Sequence, residues 1–221
     1  MSKYIRNIFL LLLAAATAGC TPAPSLQSTP QLRVASAETA GWVMGSIGAR
    51  SNNSLKDLGS PYNTHAVKFR KLGSSTGGEI AFRRGLFSRT APDFTDGPAP
   101  SAVFCQQLDE GTYEIYDVLI YRNAGETGDE TYTAKNPLSI KFEIKSGRAT
   151  YIGSLIAEAI WGKNFIGIPT ATGAYFVVSD QLVRDSPLAQ ARCNNSTDKI
   201  TKAIIAPESE GEKYFFRRLE H

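Results

Sequence analysis

The stretch Leu138-Ser-Ile-Lys-Phe-Glu-Ile144 alternates strictly between apolar and polar residues. Successive side chains of a strand point to opposite faces, so the four apolar residues share one face. This pattern predicts a half-buried antiparallel strand. The turn-forming segment Lys145–Arg148 follows, with Gly147 able to adopt a positive φ, and residues 149–160 are rich in β-branched and aromatic side chains. We therefore predict a hairpin between these two strands.

The same pattern of short apolar or alternating segments between turn clusters extends along most of the chain. Residues 67–70 and 80–83 predict a second hairpin around the turn Gly73–Gly78. In Thr112–Tyr121 the apolar residues change from odd-numbered to even-numbered positions after Ile115. This change predicts a bulge near Ile115 or burial of both faces. Further strands are predicted at Trp42–Ile47, Ala102–Cys105, Ala174–Ser179 and Lys199–Ile205.

One short helix is predicted near the C-terminus, with Ser186 as N-cap, Pro187 at the first helical position and Arg192 as its last residue. About eight short strands and this helix predict an all-β fold, an antiparallel β-sandwich that occupies residues 38–206. The charged and aromatic tail, residues 207–221, has no clear pattern, and both a frayed tail and an amphipathic partner segment are open.

The first twenty residues, MSKYIRNIFLLLLAAATAGC, combine two cations, an apolar run and small residues before Cys20. This arrangement predicts a cleaved signal peptide over residues 1–19. The small residues before Cys20 resemble the lipobox of bacterial lipoproteins, which implies lipidation of Cys20, membrane attachment by acyl chains such as palmitate, and an outer-membrane location in the cell envelope. An ordinary secretory peptide with an incidental Cys20 is the alternative. Residues 20–37 then form the lipidated N-terminus and a linker.

Charge and composition exclude several classes of protein. The chain has 24 Lys and Arg against 21 Asp and Glu, and cleavage before Cys20 removes Lys3 and Arg6, which leaves a net charge of +1. This balance argues against a nucleic-acid partner. Two His and three Cys are too few for a thiolate or imidazole metal cluster, so no metal and no cofactor are expected.

Two cysteines remain once Cys20 is assigned to lipid. An even pair in an oxidising compartment favours a disulfide between Cys105 and Cys193. Two buried free thiols are the alternative.

The sequence contains two weak signals for catalysis or metal binding. Gly73-Ser-Ser-Thr-Gly77 matches the G-x-S-x-G motif of hydrolases with Ser75 as nucleophile, but a strand pattern follows it and the only downstream histidine is His221, the last residue. A hairpin loop explains it better. Five acidic residues could offer oxygen ligands to Ca²⁺, although solvated loops explain them better: Asp93, Asp96, Glu126, Asp129 and Glu130.

Other polar and aromatic residues have structural explanations as well as functional ones. His65 is interpreted as a surface or hydrogen-bonded residue rather than a ligand. Asp180 and the pair Arg184-Asp185 suit turn, cap or ion-pair roles. Tyrosines in the strand-rich half can form a sugar or peptide platform, while core packing explains most of them: Tyr113, Tyr116, Tyr121, Tyr132 and Tyr151.

Several segments together resemble a family of uncharacterised bacterial outer-membrane-type lipoproteins with a carboxypeptidase-regulatory or transthyretin-like β-sandwich domain. These segments are A-P-D-F-T-D-G (91–97), L-D-E-G-T-Y-E-I-Y (108–116), F-E-I-K-S-G-R-A-T-Y-I-G (142–153) and V-V-S-D-Q-L-V-R-D (177–185). The resemblance covers roughly residues 41–195 and implies the fold but no catalytic residue.

The sequence predicts a lipid-anchored cell-envelope protein with a non-enzymatic module that binds a protein, glycan or small ligand. No catalytic residue is assigned. An envelope hydrolase or metal-dependent enzyme that uses loop residues is the alternative, and it requires a pocket that gathers Ser75, His65 or the acidic residues. A purely structural role in an envelope assembly is also open.

Overall fold

The computed structural model describes residues 39–50, 61–85, 89–96, 99–123, 128–193 and 199–219. The fold is mostly β, and these residues form eleven strands and two helices. The strands are β1 (Ala40–Ala49), β2 (Thr64–Lys71), β3 (Gly77–Arg83), β4 (Ser101–Asp109), β5 (Gly111–Asn123), β6 (Asp129–Thr133), β7 (Ile140–Ile144), β8 (Ala149–Lys163), β9 (Pro169–Ser179), β10 (Ile200–Lys202) and β11 (Phe216–Arg218). The helices are α1 (Leu182–Arg192) and α2 (Glu210–Phe215).

The strands form two sheets. The first sheet has the order β11-β9-β8-β1-β4, and β10 also pairs with β8. The second sheet has the order β3-β2-β5-β6, and β7 also pairs with β5. Three pairs in the first sheet are parallel, β1 with β8, β10 with β8 and β11 with β9. The prediction of a purely antiparallel fold is therefore wrong, because the pattern along one strand does not reveal its partner. The predictions of about eight strands and of a single helix are also wrong.

The predicted strand over 138–144 is confirmed as β7, but its hairpin with β8 is wrong. Phe142 of β7 lies opposite Tyr113 of β5 in the second sheet. Tyr151 of β8 lies opposite Met44 of β1 in the first sheet. The turn between β7 and β8 therefore carries the chain from one sheet to the other. Gly147 makes this crossing with φ of 66° and donates its N–H to the carbonyl of Ala40 at 2.8 Å.

The second predicted hairpin and the predicted bulge are both confirmed. β2 and β3 pair antiparallel, with His65 opposite Phe82. Between β2 and β5 the register shifts, because Lys68 lies opposite Asp117 and Phe69 lies opposite Ile115. The extra residue of β5 explains why its apolar residues change from odd-numbered to even-numbered positions.

The main core draws buried side chains from both sheets. Val43 and Ile152 of the first sheet belong to the same cluster as Phe69, Phe82 and Phe142 of the second. A separate cluster lies where α1 covers the first sheet, and there Met44 and Tyr151 pack with Ala189 and Cys193. The first sheet is thus buried on two faces, which explains the continuous apolar run in its central strand β8.

Helix α1 begins four residues before the predicted N-cap, so the assignment of Ser186 as N-cap is wrong. Asp180 Oδ1 accepts a hydrogen bond from the N–H of Leu182 at 3.1 Å, and the helix starts there. Pro187 lies inside the helix. Buried Asp185 and Ala189 on either side of Pro187 hold the helix on the sheet, and this packing outweighs the backbone hydrogen bond that a proline cannot donate.

Residues 207–219 pack against the first sheet. They are therefore neither a frayed tail nor a segment left free for a partner. Ser209 and Glu212 form a capping box at the start of α2. Phe216 of β11 is fully buried and stacks on Phe176 with ring centroids 5.7 Å apart. Among the described residues, no helix has the length and apolar character needed to span a membrane.

Candidate functional site

A cleft of about 480 Å³ opens between β6 of the second sheet and β9 of the first, with α2 as a further wall. Its volume falls in the range that holds small ligands in proteins. The lining residues are Tyr132, Thr133, Lys135, Asn136, Thr172, Gly173, Ala174, Glu210, Gly211, Tyr214 and Phe215.

Tyr132 forms an aromatic wall of the cleft, and a buried tyrosine holds it in place. The rings of Tyr132 and Tyr62 meet edge to face, with centroids 5.7 Å apart. Tyr62 in turn donates its hydroxyl to the carbonyl of Gly173 at 2.9 Å, which ties the wall to β9. Burial and the neighbouring Tyr132 raise the pKa of Tyr62. Its hydroxyl therefore stays a neutral donor at physiological pH.

Helix α2 supplies two further aromatic side chains of the cleft lining. Tyr214 is 56% exposed and meets the ring of Phe215 edge to face, with centroids 4.8 Å apart. Burial alone would raise the pKa of Glu212, but backbone N–H donors, including those of Ser209 and Ser139, lower it. The ionised Glu212 thus fixes α2 to the chain just before β7.

The rim of the cleft carries polar groups of both charges. Lys135 and Asn136 lie on the segment after β6, and Glu210 begins α2. Glu210 is 2.8 Å from the ammonium of Lys213, which leaves Glu210 oxygens able to accept further hydrogen bonds. Two aromatic walls with donors and acceptors at the rim can hold a flat or ring-bearing molecule.

The two cysteines of the predicted pair lie at disulfide distance. The Cα atoms of Cys105 and Cys193 are 5.7 Å apart, so β4 and the end of α1 meet there. Beside them, Arg192 donates to both carboxylate oxygens of Asp93, at 2.6 and 2.8 Å, and also to the carbonyl of Val103. The pair therefore fastens α1 to the edge of the first sheet.

The candidate calcium ligands do not come together. Asp93 is paired with Arg192, Asp129 accepts from the hydroxyl of Tyr121 at 2.8 Å, and Glu130 accepts from Arg122 at 2.6 Å. Asp96 lies on the same stretch as Asp93, remote in sequence from Asp129 and Glu130, and Glu126 falls outside the described residues. No group of three or more His, Cys, Asp or Glu within the described part of the chain is arranged to hold a metal ion.

Ser75 and His65 do not form a catalytic pair. Ser75 lies on the exposed turn between β2 and β3, where Ser74 donates to Thr76 Oγ1 at 3.0 Å. His65 lies near the other end of β2, and six residues of strand separate the two by about 20 Å. His65 is buried, and burial followed by the charge of Arg84 lowers its pKa to about 3. His221 lies outside the described residues.

The Arg184–Asp185 ion pair is confirmed, and it belongs to a buried polar cluster that the sequence did not reveal. Asp185 accepts hydrogen bonds from Ser46 at 2.7 Å and from the Tyr151 hydroxyl at 2.9 Å. Burial and the Asp185 carboxylate raise the pKa of Tyr151. Ser154 completes the cluster through a hydrogen bond with Ser46 at 2.9 Å. These residues are far apart in sequence, so no local motif signals them.

The tyrosines separate into core and surface residues. Tyr113 and Tyr151 are fully buried, as core packing predicts. The Arg70 guanidinium lies 4.8 Å from the ring centre of Tyr116. Of the five, Tyr132 alone lines the cleft. Tyr214 was missed because the charged and aromatic segment 207–221 has no strand or long helix pattern.

Comparisons with known proteins leave the function open. A scan against protein-family models finds no match, and a search of curated proteins finds none. One solved structure, the crystal structure of a leucine-rich repeat protein from Bacteroides thetaiotaomicron, aligns with 54% of this chain and 14% of its own chain, at 12% identity and a TM-score of 0.31. The chain thus spans a small part of that protein, and a likeness this distant carries no argument about fold or function. Cys20 lies outside the described residues.

Proposed function

We propose that this chain is a lipid-anchored cell-envelope protein whose β domain is a non-enzymatic module that binds a small ring-bearing ligand, such as a short glycan, in the cleft. The observation that carries the proposal is the cleft itself. Tyr132 and Tyr214 offer flat apolar faces, while Lys135, Asn136 and Glu210 offer donors and acceptors at its rim. Aromatic faces beside polar groups suit sugar rings, whose faces are apolar and whose edges carry hydroxyls.

The proposed architecture is a β-sandwich in which the two sheets stack face to face. The shared core supports it, because Val43 of the first sheet and Phe69 of the second belong to one buried cluster. In this arrangement the cleft is the place where the sheets separate near β6 and β9. The resemblance to carboxypeptidase-regulatory or transthyretin-like lipoproteins stays a prediction from the sequence.

The non-enzymatic character is proposed from the placement of the reactive residues. Ser75 and His65 lie at different ends of β2, and Asp93 is engaged by Arg192. None of these three lines the cleft. A nucleophile and its base must lie within hydrogen-bond reach of each other, so this distribution favours binding over hydrolysis.

A matched pair of substitutions on β9 tests the cleft. Thr172 lines the cleft, and Thr170 lies two residues away on the same strand without lining it. A panel of disaccharides and aromatic dipeptides is screened by saturation-transfer NMR against the purified full chain. We expect Thr172→Trp to abolish binding of any hit and Thr170→Trp to preserve it. Equal binding by both variants, or no hit with the unmodified chain, would contradict the proposal.

Metabolic labelling with a palmitate analogue tests the anchor. The chain should incorporate label, and Cys20→Ala should lose it, because the acyl chains are proposed to attach through this thiol. Cys105→Ala serves as the control and should retain the label. Label that persists in Cys20→Ala would refute the anchor without bearing on the cleft.

A further inference from the structure

The tip of the β8–β9 hairpin exposes three large apolar side chains side by side. Phe165, Ile166 and Ile168 are 96%, 62% and 52% exposed. They lie on the turn between Lys163, the last residue of β8, and Pro169, the first residue of β9. Such a concentration of exposed hydrocarbon on one turn is costly in water unless another surface covers it.

Four of the five backbone N–H groups of residues 164–168 donate hydrogen bonds within this turn. Asn164 donates its N–H to the carbonyl of Ile168 and accepts from the N–H of Gly167, both at 2.9 Å. The Asn164 side-chain oxygen accepts from the N–H groups of Ile166 and Ile168 at 3.1 and 2.9 Å. Pro169 has no N–H to satisfy. An apolar phase that offers no hydrogen-bond partners therefore imposes little cost on these four N–H groups.

The charge pattern around the turn is equally suited to a lipid surface. From residue 159 to residue 174 the single charged residue is Lys163, and no acid occurs. Lys163 lies two residues behind Phe165 at the end of β8. A lysine in this position suits the headgroup region of a bilayer, because its stem can lie along apolar surface while its ammonium stays in water.

We propose that the β8–β9 hairpin inserts Phe165, Ile166 and Ile168 into the hydrocarbon surface of a lipid bilayer. This contact goes beyond the ligand cleft and does not depend on acylation of Cys20. It is nevertheless compatible with that anchor. β1 and β8 run parallel with Trp42 opposite Ala149, so the N-terminal segment joins the domain at the end of the sheet remote from the tip.

Chain length allows both contacts on one bilayer. Nineteen residues lie between Cys20 and Ala40. Fully extended they span about 60 Å, which exceeds the roughly 50 Å length of the 15-residue strand β8. The domain can also lie along the surface, and then a shorter linker path suffices.

Quenching of a new tryptophan by brominated lipids tests the insertion. The full chain is purified in detergent and reconstituted with vesicles of phosphatidylethanolamine and phosphatidylglycerol. The emission that Phe165→Trp adds over the unmodified chain should shift to the blue and be quenched by lipids brominated on their acyl chains. Ser75→Trp, on the polar β2–β3 turn, is the matched control and should be quenched by aqueous acrylamide instead.

Adding Ile166→Ser and Ile168→Ser to Phe165→Trp should remove most of the lipid quenching, and both side chains are exposed enough to leave the fold intact. A Phe165→Trp emission as accessible to acrylamide as that of Ser75→Trp would overturn the proposal. So would shielding that appears only when a protein partner is added, since that result would assign the turn to a protein interface. Vesicle flotation of each variant measures how much protein is bound, so failure of the anchor is distinguishable from failure of the insertion, and neither measurement involves the cleft.

Discussion

Ser46 on β1 donates a hydrogen bond to the carboxylate of Asp185 on α1 at 2.7 Å. The same fully buried carboxylate accepts from Tyr151 at 2.9 Å and from Arg184 Nε at 2.8 Å. A buried carboxylate is tolerated only when charge and hydrogen bonds compensate the loss of water. This cluster therefore fixes the position and rotation of α1 on the face of the first sheet that carries Met44 and Tyr151.

Asp185→Ala should destabilise the protein by about 3 kcal/mol, because it leaves the hydroxyls of Ser46 and Tyr151 without their buried acceptor. Urea denaturation measures the change in the free energy of unfolding. The exposed ion pair between Lys202 and Asp180, 2.8 Å apart, gives the control. Lys202→Ala should cost less than about 1 kcal/mol. Equal losses in the two variants would contradict a structural role for the cluster.

Loss of the Cys105–Cys193 bond should strongly lower the free energy of unfolding. The two residues are separated by 88 positions, and closing a loop of this length stabilises the folded state by about 4 to 5 kcal/mol in the chain-entropy model. We expect the double variant Cys105→Ala plus Cys193→Ala to unfold at markedly lower urea concentration. Mass spectrometry after alkylation in concentrated urea without reductant should find no modification at either cysteine, whereas buried free thiols would be exposed by the urea and modified. Two alkylated thiols at these positions would refute the disulfide.

His65 should make the protein sensitive to mild acid. Burial lowers the pKa of the folded His65 to about 3 from 6.5, so between these values the unfolded state binds the extra proton. Stability therefore falls as the pH drops through this window, by at most about 1.4 kcal/mol for each pH unit. Urea denaturation at a series of pH values from 7 to 4.5 should show this slope.

Two substitutions isolate the contribution of His65. Hydrogen bonding by Ser139 and Arg70 lowers the pKa of Glu114 from its usual 4.5, so this carboxyl contributes to acid unfolding only below that value. His65→Gln should flatten the slope above pH 4.5, whatever its effect on stability at pH 7. His221→Gln should leave the slope unchanged. A slope that persists in His65→Gln would show that another group is responsible.

Local patterns predicted strands well and their partners poorly. The alternation in 138–144 revealed a face that is buried, and the parity change near Ile115 revealed a bulge. Both are short-range consequences of side-chain direction. The crossing at Gly147 depends on contacts with Ala40, about a hundred residues earlier, and no local pattern contains that information.

The candidate site was even less accessible from the sequence. The sequence singles out Tyr132 among the strand tyrosines, but a second aromatic lining residue, Tyr214, comes from a six-residue helix. A helix this short is stable through its capping box and through tertiary contacts, here the buried Phe215 and the hydrogen bond from Ser139 to Glu212, rather than through its own periodicity. The cleft exists only when this helix, β6 and β9 come together.

Substitution by alanine should lower the stability of the protein at Gly45 and raise it at Gly211. β8 gains one residue relative to β1 between Tyr151 and Ser154, and Gly153 in that bulge has φ of 116°. The bulge turns both Tyr151 and Ser154 toward α1. A Cβ on Gly45 would overlap the carbonyl oxygen of Gly153 and approach Phe104 Cζ to 2.8 Å. Since the backbone cannot withdraw without breaking the strand pairing, Gly45→Ala should destabilise the protein by about 2 kcal/mol or more.

Gly211 provides the matched comparison. It lies in α2, and its added Cβ would meet only Asn136 Cβ at 3.7 Å and Ser209 Oγ at 4.0 Å, which are ordinary contacts. Alanine is favoured over glycine in a helix by up to about 1 kcal/mol, so Gly211→Ala should stabilise the protein. Thermal and urea unfolding of both variants measure the two changes. If Gly45→Ala were as stable as the unmodified chain, the close approach of β1 to the bulge of β8, and with it the alignment of Ser46 with Ser154 beneath α1, would be wrong.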